Sequence, residues 1–159
     1  MTDAPMRPGE AAARELRARY PAWFPAKAQL EIQDGWAAIV VRMFDNVAAV
    51  LTDAQREAFR VVRVHEKWGR LFTCWRFEER RRKGQSADSD ARRDLEIAAI
   101  VSDVLEAGRR ETWLVCQRCA APGELTWDYM AILCPLHLAE AKAQGRRRKR
   151  GRRPERNGL

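Results

Sequence analysis

Apolar positions recur at helical and strand spacings along most of the chain and then stop. Residues 10 to 20, EAAARELRARY, are strong helix formers that end at Tyr20-Pro21, because the residue before a proline is pushed out of the helical region. After a loop with Trp23, Phe24 and Pro25, Leu30 and Ile32 mark a short extended piece. From Gly35 to about Leu51, Trp36, Ile39, Val40, Met43, Phe44, Val47, Val50 and Leu51 recur three and four apart. That spacing predicts the central core helix, with Asp34 as its N-cap. Thr52 caps a further helical turn, DAQREAF, with Asp53 set against its N-terminal dipole.

Residues 60 to 77 read as a β-hairpin: a β-branched arm RVVRVHE, a turn at Lys67-Trp68-Gly69, and a second arm RLFTCWRF. Leu71, Thr73, Trp75 and Phe77 share one face and Phe72, Cys74 and Arg76 the other, which predicts a strand covered on both sides and Cys74 as a small buried side chain. The stretch 78–90 is a polar connection. A helix is then expected from about Ala91 to Ala107, with Leu95, Ala98, Val101 and Leu105 as its apolar stripe and Gly108 as its stop. Beyond Gly145 no apolar residue occurs until Leu159, so 145–159 is expected to be disordered. The fold class is α+β, with two core helices packed on a hairpin. Its divisions are a partly helical segment 1–18, a body 19–110, a metal module 111–144 and the tail.

Composition sharpens the role of that tail. Of 30 basic residues, nine lie between Lys142 and Leu159 with the single acid Glu155, which leaves 21 basic and 21 acidic residues in positions 1 to 141. The formal charge of +8 therefore belongs to the tail. The longest charge-free apolar run, Gly35 to Val41, falls far below the ~18 residues of a membrane span. The N-terminus has Pro, Gly and acids where a secretory signal carries an apolar stretch, so a cytoplasmic, reducing setting is expected. In that setting clustered cysteines are metal ligands rather than disulfides.

The most specific pattern is C-x2-C followed by C-x2-H: Cys116, Cys119, Cys134 and His137, with fourteen residues between the pairs. A two-residue spacer lets both members of a pair reach one ion from a tight turn, and four such ligands suit tetrahedral zinc. Pro135 opens a helix at the second pair. A knuckle, a short hairpin of Trp113–Val115 against Ala131–Leu133, and a helix whose first turn supplies two ligands make a treble-clef-like module. With four protein ligands the zinc is structural, contributing about 10 kcal/mol to a module too small to fold alone.

Enzyme chemistry finds little here. If His137 binds zinc, His65 is the one histidine left for acid-base work, and it sits beside Glu66 at a strand end. An HNH-type nuclease needs a histidine base near a second metal, and a zinc deaminase needs H-x-E with P-C-x-x-C. There is no Walker loop and no G-x-S-x-G. No catalytic residue is assigned, and a non-enzymatic protein is expected.

The tail, RRRKRGRRPER, sets eight positive charges in eleven residues. Such density suits a polyanion, whose condensed counterions are released on binding. Arg146, Arg147, Arg148, Lys149, Arg150, Arg152 and Arg153 are the candidate contacts to DNA or RNA phosphates. No aromatic residue is interleaved, so stacking on single strands is not indicated by the tail.

Several segments together resemble a known group. Arg19-Tyr20-Pro21 with Phe24, Asp34-Gly35-Trp36, His65-Glu66-Lys67-Trp68-Gly69-Arg70-Leu71-Phe72, Cys116-x2-Cys119-Ala120-Ala121-Pro122-Gly123 and Leu133-Cys134-Pro135-x-His137 are similar to the motifs of a family of small, largely uncharacterised bacteriophage and prophage proteins. That family shows YP…F, GDGW, EKFGGLRF, C-x2-CG-x-PG and TLC-x2-H. The likeness covers about positions 19 to 140 and leaves the tail outside. Gln33 replaces a glycine, Trp68 a phenylalanine and Ala120 the knuckle glycine, at a position whose backbone angle alanine resists. The resemblance implies a phage origin, a bacterial host cytoplasm and a metal site. The expected function is an accessory nucleic-acid-binding zinc protein. The competing expectation is an anti-CRISPR-like inhibitor that grips a host defence complex through its folded body.

Overall fold

A computed structural model describes residues 5–78 and 87–151 of the chain. The described residues form a mixed α+β fold with five α-helices, a three-stranded sheet and a two-stranded sheet. In order these are α1 (Pro8–Arg19), β1 (Gln29–Leu30), a 3-10 turn (Asp34–Trp36), α2 (Ala37–Val50), α3 (Asp53–Ala58), β2 (Phe59–Lys67) and β3 (Arg70–Phe77). They are followed by α4 (Ala87–Thr112), β4 (Glu124–Thr126), β5 (Ala131–Leu133) and α5 (Pro135–Gly151).

One cluster of buried side chains draws on Leu16 of α1, Val40, Phe44 and Val47 of α2, Phe59, Val61, Val64 and Leu71 of the sheet, and Val101 and Leu105 of α4. Trp36 and Phe44 are fully buried at its centre, and Phe24 meets Phe44 edge-on at 4.9 Å between ring centres. The extended piece at Leu30 joins the sheet as a parallel edge, Gln29 opposite Arg63 and Leu30 opposite Val64. The hairpin turn has φ of 57° at Trp68 and 72° at Gly69, both left-handed, as a two-residue turn matched to strand twist requires. A register shift between Val61 and Arg63 leaves Val62 exposed and allows Phe59, Val61 and Val64 all to face the core.

Several expectations are corrected. Asp34 does not cap α2. Its carboxylate instead accepts from the Gly9 N–H at 3.0 Å and from Arg7 Nε at 3.2 Å, so it caps α1 across the chain, where the helix dipole favours an anion. Gly108 does not stop α4, which continues to Thr112. The glycine sits where α4 crosses α2, and an added Cβ would lie 2.7 Å from Met43 Cγ. Leu95 is 73% exposed, and the buried stripe runs through Ile97, Val101 and Leu105. Cys74 is exposed, as is Arg76, so β3 is covered on one face only.

Helix α5 reaches Gly151, so 145–151 is helical and not part of an unstructured tail. Arg, Lys, Ala and Gln are good helix formers and extend a helix already started at Pro135. Residues 79–86 of the polar connection and 152–159, with Arg152 and Arg153, lie outside the described residues. No helix among the described residues is long and apolar enough to cross a membrane.

Candidate metal centre

The four ligand candidates converge from two separate pieces of chain. In the first, the Ala120 N–H donates to the Cys116 carbonyl at 3.0 Å, the Cys116 N–H to the Ala121 carbonyl at 2.7 Å and the Gly123 N–H to the Leu114 carbonyl at 3.0 Å. These bonds close a tight loop around the Cys116–Cys119 pair. Ala120 takes the left-handed conformation, φ 62°, that the knuckle demands. In the second piece, β5 delivers Cys134 to the start of α5, whose first turn carries His137, and the Leu138 N–H donates to the Cys134 carbonyl at 2.9 Å. The Gln117 N–H donates to the Ile132 carbonyl at 3.0 Å and ties the knuckle to β5.

The hairpin that frames the site differs from the expected one. Ala131–Leu133 pairs antiparallel with Glu124–Thr126, not with Trp113–Val115. Trp113 stays beside the end of α4, with the Arg70 and Arg109 guanidinium groups over its ring at 4.9 and 5.8 Å, and Val115 makes one bridge to Pro122.

The ligand atoms of Cys116, Cys119, Cys134 and His137 all lie within 4.8 Å of one another. Cys119 Sγ and Cys134 Sγ are 3.8 Å apart, and His137 Nδ1 is 3.3 Å from both Cys116 Sγ and Cys134 Sγ. Two thiolates ~2.3 Å from a shared tetrahedral ion sit about 3.8 Å apart, and a thiolate and an imidazole nitrogen about 3.5 Å apart. The spacing therefore fits a tetrahedral ion such as zinc and exceeds the ~2.05 Å of a disulfide. Cys116 and Cys134 are buried and Cys119 is exposed.

Burial pushes the Cys116 thiol up, but N–H groups of Cys134, Arg118 and Cys119 and the His137 ring at its sulfur outweigh that and bring it down to about 6. The Ala121 N–H draws the Cys119 thiol down, while desolvation and the Cys116 and Cys134 sulfurs outweigh it and hold the thiol above its usual value. Neighbouring thiolates oppose one another's ionisation, and a cation among them removes the conflict. Beyond the ligands, the Glu140 carboxylate lies 3.9 Å from His137 Nε2 and 3.5 Å from the Arg118 guanidinium.

Two residues outside the ligand set hold the knuckle to the body. The Gly35 N–H donates to the Gln117 carbonyl at 2.9 Å, and Trp36 Nε1 donates to the Val115 carbonyl at 3.3 Å. A Cβ on Gly35 would meet the Cys116 carbonyl oxygen at 2.0 Å and the Ala120 nitrogen at 2.6 Å, so only glycine permits this approach. Gly35 and Trp36 both belong to the Asp-Gly-Trp that precedes the central helix, where no neighbouring residue points to a partner so distant in the chain. Of the remaining candidates, Arg146 to Arg150 follow His137 on the same helix, α5. No protein-family model, curated protein or solved structure matches the chain.

Proposed function

We propose that the chain is a non-enzymatic, phage-type zinc protein that binds nucleic acid through its basic C-terminal segment in the cytoplasm of a bacterial host. Zinc held by Cys116, Cys119, Cys134 and His137 is structural, in a treble-clef-like module, because four protein ligands leave no coordination position for water or substrate. The observation that carries the reading is the continuity of α5, which begins beside two metal ligands and runs without interruption into Arg146–Arg150. The metal centre thereby anchors the segment that holds the excess charge, and Arg152 and Arg153 follow it in sequence. The contacts are to phosphate and carry no base readout.

The test replaces Arg146, Arg147, Arg148, Lys149, Arg150, Arg152 and Arg153 with glutamine in the full chain. Affinity for a labelled DNA duplex should fall, and the log-log salt slope should become shallower by about 0.9 for each phosphate no longer neutralised. Unchanged affinity and slope would remove the reading.

A second reading, a protein-binding inhibitor of a host defence complex, is favoured by one observation. Leu114, Trp127 and Leu136 of the metal module are 70%, 71% and 65% exposed, and exposed apolar side chains of this size suit a protein partner. Retention of a host protein by the glutamine variant in nuclease-treated lysate, abolished by Trp127→Ala, would select it.

A further inference from the structure

The neutral charge of the body hides an uneven distribution. The hairpin's five cations, Arg60, Arg63, Lys67, Arg70 and Arg76, share the face turned away from the core, as the cross-strand register and burial pattern require. Lys67 stands directly opposite Arg70, and Arg60 opposite Arg76. Like charges facing each other across strands destabilise a hairpin, so this face costs stability that an anion would restore. Glu78 pairs with Arg60 and Glu31 with Arg63, but among the described residues no carboxylate pairs with Lys67, Arg70 or Arg76.

Aromatic rings lie among these cations. Half-buried Phe72 has the His65 ring tilted against it at 5.7 Å and the Arg109 guanidinium above it at 5.7 Å. At the turn, Trp68 is 58% exposed with Lys67 Nζ 4.2 Å from its ring centre. A strand face with one exposed and one half-buried ring bordered by arginines and lysines offers what an unpaired base requires: a surface to stack on and cations for the phosphates on either side. Duplex bases are already stacked on each other and offer no free face to such rings.

We propose that the outward face of the β2–β3 hairpin binds single-stranded nucleic acid, stacking bases on Phe72 and Trp68 and holding phosphates with Lys67, Arg70 and Arg76. This goes beyond the tail reading, because charge alone takes any polyanion whereas this face selects unpaired bases. Exposed Cys74, opposite Arg63 between the rings and Arg76, is a reporter of occupancy.

The experiment measures binding of fluorescent oligothymidylate, oligouridylate and a DNA duplex of equal length to the zinc-loaded full chain. The variants are Phe72→Ala, the double variant Lys67→Glu with Arg76→Glu, and the glutamine variant of the tail. The double variant places Glu opposite Arg70 and Arg60, so its Tm should equal or exceed the parent's while its affinity for single strands falls. Phe72→Ala should weaken single-strand binding about fivefold or more. The salt slope of the double variant should become shallower by about 0.7 for each phosphate it no longer neutralises. The tail variant should keep its preference for single strands, and either oligonucleotide should slow alkylation of Cys74, read by peptide mass spectrometry. Parental affinity in both face variants with unaltered Cys74 alkylation would overturn the proposal. In that case loss of binding in the tail variant leaves the tail reading standing alone, whereas unchanged binding in the tail variant beside weakened face variants removes the tail reading and supports this one.

Discussion

Gly35 lies directly against Cys116: a methyl group on its Cα would come within 2.0 Å of the Cys116 carbonyl oxygen. The start of the central helix and the first candidate metal ligand are therefore one packed unit, although about 80 positions separate them in the chain. Gly35→Ala is expected to force the two apart and to cost about 3 kcal/mol, the upper range for overpacking. Thermal unfolding with and without a zinc chelator checks this. The variant should unfold at lower temperature and release metal at lower chelator concentration than the parent.

Ala120 carries the opposite kind of strain. Its φ of 62° is a left-handed conformation that costs an alanine about 1 kcal/mol and a glycine very little. Ala120→Gly should raise the stability of the zinc-loaded protein by about 1 kcal/mol in urea unfolding.

Gly108 and Met43 are expected to be energetically coupled. Alanine is the better helix former by about 1 kcal/mol, yet its Cβ at position 108 would press on the Met43 side chain. Gly108→Ala should therefore destabilise the parent and stabilise a Met43→Ala background. A double-mutant cycle in urea gives the coupling energy directly.

The His65 ring is held below the ordinary histidine range, first by burial and then by the Arg63 charge. The unfolded chain then binds more protons than the folded one between that lowered value and the ordinary value of about 6.5. Stability should rise with pH across this window and level off above it. The slope of Tm against pH there should be smaller in His65→Gln.

Local signals in the sequence were enough for some of this architecture. The C-x2-C and C-x2-H spacings, Thr52 as the cap of α3, and Trp68-Gly69 at the hairpin turn each depend on residues within a few positions of one another. What the sequence concealed depends on contacts between distant segments. Gly108 has the chemistry of a helix stop and became a crossing point because Met43 lies beneath it. Asp34 has the chemistry of a local cap and was drawn to the α1 N-terminus. The expected partner of Ala131–Leu133 is Trp113–Val115, but the loop of the knuckle bridges Val115 to Pro122 and Glu124–Thr126 is the partner strand. The Gly35 contact with the knuckle is the clearest instance, because nothing near Gly35 in sequence signals a metal ligand.

A closed centre of three sulfurs and one nitrogen, joining the body to α5, is what the proposed anchoring of the basic segment requires. Metal analysis combined with X-ray absorption on protein purified without chelator tests it most directly. The expected result is one zinc per chain, with three sulfur neighbours at ~2.3 Å and one nitrogen neighbour at ~2.0 Å. Substantially less than one zinc per chain, or a shell containing water oxygen, would contradict it.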